Sequence, residues 1–188
     1  MVQEFLIALG SNLGSISGNP LDTLESAFSE LVSRGATVVQ QSRFYATPCF
    51  PAGAGPDYVN ACARVNLEGS PDELLRIMHE IEADFGRARV QRWGSRTLDL
   101  DLIAMADVVL PDAQTHNRWL TLSLEEQMTA SPDQLILPHP RLQDRAFVLV
   151  PLADVAPDWR HPVLEKTVLE MRDALPAEHL AEVVPIAR

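Results

Sequence analysis

Residues 92–103 read Arg92-Trp93-Gly94-Ser95-Arg96-Thr97-Leu98-Asp99-Leu100-Asp101-Leu102-Ile103, and the rest of the chain is organised around this stretch. In its second half leucines alternate with aspartates, which is the period of a β-strand. Asp99 and Asp101 therefore share one face, roughly 6.5 Å apart. Two such carboxylates repel each other unless a cation lies between them, and Mg²⁺ binds one or two carboxylates together with substrate phosphates. The pattern predicts a magnesium site on a strand.

The residues just before this strand are rich in arginine. Arg87, Arg89, Arg92 and Arg96 lie in a short stretch that contains no acidic residue. The guanidinium fork matches phosphate oxygens. A solvated basic loop beside an ordinary half-exposed strand is the alternative interpretation. We favour a phosphate site because the chain carries a formal net charge of -11, so that a local run of arginines stands out against it.

The composition indicates one folded domain, residues 1–188, in which 46% of the residues are hydrophobic. No apolar run approaches the roughly 20 residues of a membrane span, and the N-terminus lacks the basic start of a signal peptide. Cys49 and Cys62 have no metal-ligand spacing, so we expect reduced thiols in a cytoplasm. The acidic net charge argues against a protein that coats nucleic acid.

The hydrophobic patterns predict the order strand, helix, strand, strand, helix, strand. This order is typical of a ferredoxin-like βαββαβ core, an α+β fold with an antiparallel sheet and helices on one face. The other face is then expected to be free for ligands. The predicted elements are a strand at Glu4–Leu9, a helix from Asn19 to Gly35, strands at Thr37–Tyr45 and Asp57–Leu67, a helix from Ser70 to Gly86, and the Asp-x-Asp strand.

Further elements are expected after the core. Asp144–Val150 predicts a helix interrupted by Pro151, Val163–Leu175 predicts an amphipathic helix, and the tail from Glu182 predicts an edge strand. An inserted segment, roughly Pro111 to Ser131, includes a short helical pattern around Leu124 to Met128. It is a surface excursion, a partner surface or a modified lid. The Pro- and Gly-rich residues 46–56 form either a connector or a lid.

The strand at Asp57–Leu67 places an aromatic ring and an amide on one face. Tyr58 and Asn60 are two residues apart, so they can stack on a flat heterocycle and hydrogen-bond its edge. A plain strand surface is the alternative interpretation. The Gly10-Ser11-Asn12-Leu13-Gly14 loop lacks the lysine of a phosphate-binding loop, and we interpret it as a structural turn with a supporting role.

Several motifs in the same order resemble the 6-hydroxymethyl-7,8-dihydropterin pyrophosphokinase family of folate biosynthesis. The motifs cover most of the chain, and the stretch 92–103 is the most specific of them. The others are Ala8–Gly14, Phe44-Tyr45-Ala46-Thr47-Pro48, Asp57–Ala61, Gly86–Arg89, Pro138-His139-Pro140-Arg141-Leu142 and Arg145–Leu152.

The resemblance implies an ATP-dependent pyrophosphokinase that transfers the β,γ-diphosphate of ATP to the hydroxymethyl oxygen of the reduced pterin and releases AMP. It further implies two Mg²⁺ ions held by Asp99 and Asp101. The implied catalytic residues are Arg87, Arg96, Asp99 and Asp101. The implied pterin-binding residues are Thr47, Pro48, Tyr58, Asn60 and Phe147. The implied ATP-binding residues are His79, Glu82, Arg89, Arg92, Trp93, Arg96, Leu102, His139 and Arg145.

The chain departs from the family pattern at two positions near the nucleotide. His79 stands where members often carry Gln, and Ile136 stands where many carry Thr. ATP and a reduced pterin are the expected partners, with no nucleic acid or membrane, in a cytoplasmic monomer. Two alternatives stay open at this stage. One is a palm-type two-metal nucleotidyl transferase, and the other is a non-catalytic paralogue that binds pterin or nucleotide.

Overall fold

The architecture is taken from a computed structural model. It describes residues 1–49, 55–86, 97–123, 126 and 129–187. Within these residues, six strands form one sheet in which every strand pairing is antiparallel. The strands are β1 (Val2–Ser11), β2 (Thr37–Gln41), β3 (Tyr45–Thr47), β4 (Tyr58–Glu68), β5 (Asp99–Met105) and β6 (Val184–Pro185).

The sheet has the order β5-β1-β4-β3-β6, and β2 also pairs with β4. The central strand β1 therefore lies between β4 and the Asp-x-Asp strand β5. The short β6 pairs with β3, which confirms the edge strand expected at the tail. The α+β fold with a ferredoxin-like core predicted from the sequence is confirmed.

The helices described are α1 (Pro20–Ser33), α2 (Pro71–Asp84), α3 (Ala113–Leu120), α4 (Ala146–Val155), α5 (Val168–Asp173) and α6 (Ala177–Ala181). A 3₁₀ turn at Leu142–Asp144 precedes α4. The starts of α1 and α2 follow from the sequence, since the side chains of Asn19 and Ser70 accept hydrogen bonds from first-turn amides. Proline follows each cap, where no intrahelical donor is needed.

The two long helices cover one face of the sheet. Their apolar stripes, including Leu24, Leu31, Leu74 and Met78, are fully buried against β1, β4 and β5. This is the main core, and its position matches the predicted periodicity.

The opposite face is only partly open. Residues of α4, such as Val148 and Leu152, pack over Ala8, Cys62 and Ile103 in a second core. Burial raises the pKa of the Cys62 thiol well above its ordinary value. Helix α4 therefore covers part of the sheet face that was predicted to be free for ligands. That face remains open only at the end of the sheet beyond the N-terminus of α4.

Three predicted elements differ from the structure. The single strand at Thr37–Tyr45 is two strands, because the Ser42 hydroxyl accepts the Cys62 amide and the chain leaves the ladder there. The helix at Val163–Leu175 begins only at Val168, where Thr167 and Glu170 form a capping box. Pro151 lies inside α4 rather than interrupting it.

The inserted segment contains a helix that the sequence reasoning missed. Helix α3 begins after Asp112, whose side chain accepts hydrogen bonds from the Thr115 amide and hydroxyl. A backbone bridge between Leu110 and Leu137 closes the base of the segment. Most of the helix predicted around residues 124–128 lies outside the described residues. Among the helices of the described ranges, none has the length and apolar character required to cross a bilayer.

Candidate active site

Three strands bring the candidate residues together at one end of the sheet. Gly10 of β1 pairs with Asn60 of β4 on one side and with Asp99 of β5 on the other. Ala8 pairs in the same way with Cys62 and Asp101. Since paired residues of an antiparallel ladder share a face, the amide and both carboxylates lie on the same side of the sheet. The sequence alone predicted each face but not this alignment.

Asp99 and Asp101 alternate with buried leucines, as the pattern predicted. Leu98 and Leu100 are 0% and 3% exposed, whereas both aspartates are half-buried. The guanidinium Nη1 of Arg145 lies 3.5 Å from Asp101 Oδ2. Both carboxylates are therefore partly accessible to solvent, and that of Asp101 lies beside a cationic side chain.

Glu82 anchors the backbone between the two aspartates. It comes from α2, is 1% exposed, and its Oε1 accepts a hydrogen bond of 2.8 Å from the Leu100 amide. Without this acceptor the buried Leu100 amide would be left unsatisfied. This contact shows that Glu82 fixes strand β5. It is a role in addition to the ATP binding that was predicted for Glu82.

The end of β1 and the turn after it support the site, in line with the supporting role expected from the sequence. The Ser11 hydroxyl lies 2.5 Å from the Thr97 carbonyl oxygen, at the start of the Asp-x-Asp segment. The Asn12 side chain donates to the carbonyl of Pro56 at 3.2 Å, just before β4. The turn thereby ties the starts of both neighbouring strands to the end of β1. The sequence pointed to this stretch through its polar residues and through the Ala8–Gly14 motif.

The predicted pterin-binding residues cluster beside the aspartates. Asn60 is 6% exposed and its Nδ2 donates a hydrogen bond of 2.8 Å to the Thr47 hydroxyl. Tyr58 is half-buried on the same face, while Pro48 is exposed at the end of β3. Phe147, in the first turn of α4, is 41% exposed, and the Arg145 guanidinium lies 5.6 Å from its ring centre.

Gly10 forms the floor between these groups. A Cβ atom at this position would lie 3.1 Å from Asn60 Oδ1 and 4.0 Å from Tyr58 Cδ1. The absence of a side chain therefore leaves room for the amide and the ring above the sheet. The sequence placed Gly10 in a turn and in the Ala8–Gly14 motif but did not indicate a role in the pterin pocket.

His139 lies beside β5, and the tautomer of its ring can be assigned. Its Nδ1 accepts the Arg141 amide at 3.1 Å, so Nε2 bears the ring hydrogen. Burial, together with the charges of Arg145 and Arg141, lowers the pKa of His139 to about 3. The ring is thus a neutral donor at ordinary pH, suited to an uncharged or anionic acceptor.

The remaining predicted residues are placed as follows. His79 lies on the exposed side of α2, and Leu102 is 4% exposed within β5. Ile136 is buried before the Leu137–Pro138 bond. Five predicted residues lie outside the described ones, namely Arg87, Arg89, Arg92, Trp93 and Arg96.

The side chains present suit a magnesium ion that shares its ligands with a substrate. Within the described residues, no cluster of three or more His, Cys, Asp or Glu side chains could hold a metal by itself. Mg²⁺ normally keeps several waters and binds proteins through one or two carboxylates plus phosphates. Asp99 and Asp101 supply this donor set, so the residues fit the ion.

Comparison with known proteins identifies the family. A family model described as 7,8-dihydro-6-hydroxymethylpterin-pyrophosphokinase matches residues 6–157. The 2-amino-4-hydroxy-6-hydroxymethyldihydropteridine pyrophosphokinase of Synechocystis sp. is 36% identical over 181 residues, which cover 96% of this chain and 80% of that protein. The protein of the same name from Pseudomonas aeruginosa is 35% identical over 164 residues, 86% of each chain.

The solved structures agree at the level of the fold. The crystal structure of wild-type Plasmodium falciparum HPPK-DHPS superposes with a TM-score of 0.64 at 13% identity, over 92% of this chain and 44% of that one. The present chain thus spans less than half of that protein. Neither the nucleotidyl transferase nor the non-catalytic paralogue is favoured by these matches. The chain belongs to the 7,8-dihydro-6-hydroxymethylpterin-pyrophosphokinase family.

Proposed function

We propose that the sheet end formed by Gly10, Asn60, Asp99 and Asp101 is the centre at which this pyrophosphokinase acts in folate biosynthesis. The enzyme transfers the β,γ-diphosphate of ATP to the hydroxymethyl oxygen of 6-hydroxymethyl-7,8-dihydropterin. A bond forms between that oxygen and the β-phosphorus, the bond from the β-phosphorus to the α,β-bridging oxygen breaks, and AMP leaves. The observation that carries the proposal is the pairing of Gly10 with both Asn60 and Asp99.

Asp99 and Asp101 are proposed to hold two Mg²⁺ ions together with the ATP phosphates. Bound there, the ions would neutralise phosphate charge and lower the pKa of the attacking hydroxyl. The carboxylates are held in place because Leu98 and Leu100 are buried and Glu82 fixes the Leu100 amide. Phosphoryl-type transfer depends mainly on positioning and charge neutralisation, so rigid carboxylates serve the reaction directly.

The pterin is proposed to lie against Tyr58, Asn60 and Phe147. Two aromatic side chains can stack on a flat ring system, and an amide can donate to and accept from its edge. Because Asn60 Nδ2 already donates to Thr47, the orientation of the amide is fixed before the pterin arrives. The Asn60 Oδ1 then faces the space above Gly10 as an acceptor. Pro48 is proposed to border the same pocket.

The nucleotide is proposed to contact His79, Glu82, Leu102, His139 and Arg145. A neutral His139 donates through Nε2, and Arg145 supplies a charge next to Asp101. We further propose that Arg87 and Arg96 act in catalysis and that Arg89, Arg92, Arg96 and Trp93 bind ATP. Their support is the sequence motif alone.

The reaction and the metal site are tested by one set of assays. ATP, Mg²⁺ and the pterin are mixed with the enzyme, and AMP is separated from the other nucleotides. We expect AMP only when the pterin is present, and an at least hundredfold loss of turnover in Asp101→Asn, in the range for removing one electrostatic group. Asp107→Asn, at the exposed turn after β5, serves as the matched control and should retain wild-type turnover.

A binding measurement separates the metal from the chemistry. Calorimetry with a non-hydrolysable ATP analogue should show Mg²⁺-dependent affinity in the wild type and a weaker metal dependence in Asp101→Asn. Near-normal turnover of Asp99→Asn or Asp101→Asn would contradict the metal assignment.

We also propose that the enzyme is a cytoplasmic monomer. The free thiols of Cys49 and Cys62 suit a reducing compartment. Light scattering after size-exclusion chromatography tests the monomer.

A further inference from the structure

The extra helix α3 reaches back to the turn that carries His139. His116 lies on α3 and is 0% exposed. Its Nε2 is 2.9 Å from the carbonyl oxygen of Pro138. A carbonyl can only accept, so Nε2 carries the hydrogen and donates it. The helix is therefore attached to the turn by a directed hydrogen bond and not only by burial.

The acceptor belongs to a peptide unit that is held at both ends. The Pro138 carbonyl and the His139 amide form one planar unit. That amide donates a bond of 2.8 Å to the Ile103 carbonyl of β5. His116 thus holds one side of the unit and the Asp-x-Asp strand holds the other. Together the two bonds fix the plane from which the His139 side chain projects.

A second histidine supports the ring of His116. His161 is 0% exposed, and its Nδ1 accepts the amides of Val163 and Leu164, each at 3.2 Å. Its hydrogen is therefore on Nε2. The edge of the Trp159 ring packs against it, with ring centres 5.7 Å apart, and the indole donates to the Ala106 carbonyl at 2.8 Å.

The two rings are chemically complementary. Their centres are 5.8 Å apart, and among the described residues neither His116 Nδ1 nor His161 Nε2 has a hydrogen-bond partner. The tautomers leave an acceptor on His116 and a donor on His161. Burial and the neighbouring His116 lower the pKa of His161 to about 4, so the His161 ring is neutral at ordinary pH.

We propose that His116 is a positioning residue for nucleotide binding, which holds the Pro138–His139 peptide in place from the inserted segment, with His161 supporting its ring. The proposal rests on the nucleotide-binding role proposed above for His139. It gives the inserted segment a role at the ATP side of the site.

The test compares variants that differ in hydrogen-bonding capacity. His116→Leu removes the donor and the acceptor while filling most of the space. His116→Gln retains an N–H that can donate to the Pro138 carbonyl. Asp112→Ala removes the N-cap of α3 without touching Pro138, so it controls for general weakening of the helix. His139→Ala reports the contribution of the nucleotide turn itself.

Affinity for a non-hydrolysable ATP analogue and the KM for pterin at saturating ATP are measured for each variant. We expect His116→Leu to weaken nucleotide affinity about fivefold, the effect of one lost hydrogen bond, and to leave the pterin KM unchanged. His116→Gln should restore most of the affinity. Asp112→Ala should lower the melting temperature and keep wild-type affinity. His161→Asn, which keeps the acceptor for Val163 and Leu164, should weaken nucleotide affinity in the same direction but less.

The outcomes distinguish this inference from the proposal beneath it. Wild-type nucleotide affinity in His116→Leu, with a clear loss in His139→Ala, would overturn the role of His116 and leave the nucleotide turn intact. Unchanged affinity in His139→Ala would overturn the proposed nucleotide role of the turn, and the inference with it. Equal losses in His116→Gln and His116→Leu would also overturn it, since the hydrogen bond to Pro138 would then not matter. If His116→Leu does not fold, His116→Gln and His161→Asn decide between these outcomes.

Discussion

We expect the hydrogen bond from the Leu100 amide to Glu82 to contribute both to the stability of the fold and to turnover. In Glu82→Gln, an amide oxygen replaces a carboxyl oxygen at the same place. In Glu82→Ala, the amide loses its acceptor in a region where Leu100 is 3% exposed. Because Leu100 lies between Asp99 and Asp101, either change also releases the segment that carries both carboxylates.

The expected magnitudes follow from the burial of the pair. A Gln side chain can keep an acceptor for the Leu100 amide in altered geometry, so Glu82→Gln should lower the free energy of unfolding by about 1 kcal/mol, the contribution of one hydrogen bond. Ala leaves a buried amide unsatisfied and a small void, for a loss of about 3 kcal/mol. For a chain of this size, about 1 kcal/mol corresponds to roughly 2–4 °C in melting temperature.

The assay is thermal unfolding followed by circular dichroism, combined with AMP formation. Glu80→Gln is the matched control, since Glu80 is exposed on the same helix and pairs with Arg34 and Arg76 at the surface. It should change the free energy of unfolding by less than about 1 kcal/mol and leave turnover unchanged. Melting temperatures of Glu82→Ala and Glu82→Gln that equal the wild type would refute the anchoring role of Glu82. Loss of turnover in Glu80→Gln would show that the kinetic effect is not specific.

Three further predictions concern Gly10 at the floor of the pocket, stability in acid and Asp154 near the C-terminal end of α4. Gly10→Ala should raise the KM for pterin and leave the KM for ATP unchanged, because the added Cβ would lie 3.1 Å from Asn60 Oδ1. An equal rise of both KM values in steady-state kinetics would contradict this. The pKa of His161 is lowered from 6.5 to about 4, so the unfolded chain binds more protons between these values and the free energy of unfolding should fall as the pH drops through that window. The fall should reach at most about 3 kcal/mol in urea titrations, and His161→Asn should lose that part of the pH dependence. Asp154→Ala removes the acceptor for the Tyr45 hydroxyl and for the backbone and side chain of Arg43, so it should destabilise the fold by about 2 kcal/mol. A urea midpoint within error of the wild type would contradict that last expectation.

Local patterns in the sequence determined several secondary-structure elements of this protein and the face that its two aspartates share. The alternation at Leu98–Leu102 fixes the strand and the common face of Asp99 and Asp101, because side chains on a strand alternate with period two. Asn19 and Ser70 fix the starts of two helices, because a capping side chain satisfies amides only a few residues away. The Thr167–Glu170 capping box could have been recognised in the same way.

Only the tertiary structure decided how distant residues meet. The sequence does not state that Gly10 separates Asn60 from Asp99, that Glu82 turns inward to the Leu100 amide, or that His116 reaches Pro138. These contacts depend on strand order, on register and on the packing of a helix from an inserted segment. Such features arise from the burial of the whole core, to which residues far apart in the chain contribute together. The sequence therefore determined the chemistry of the candidate site, whereas its support became visible only in the folded chain.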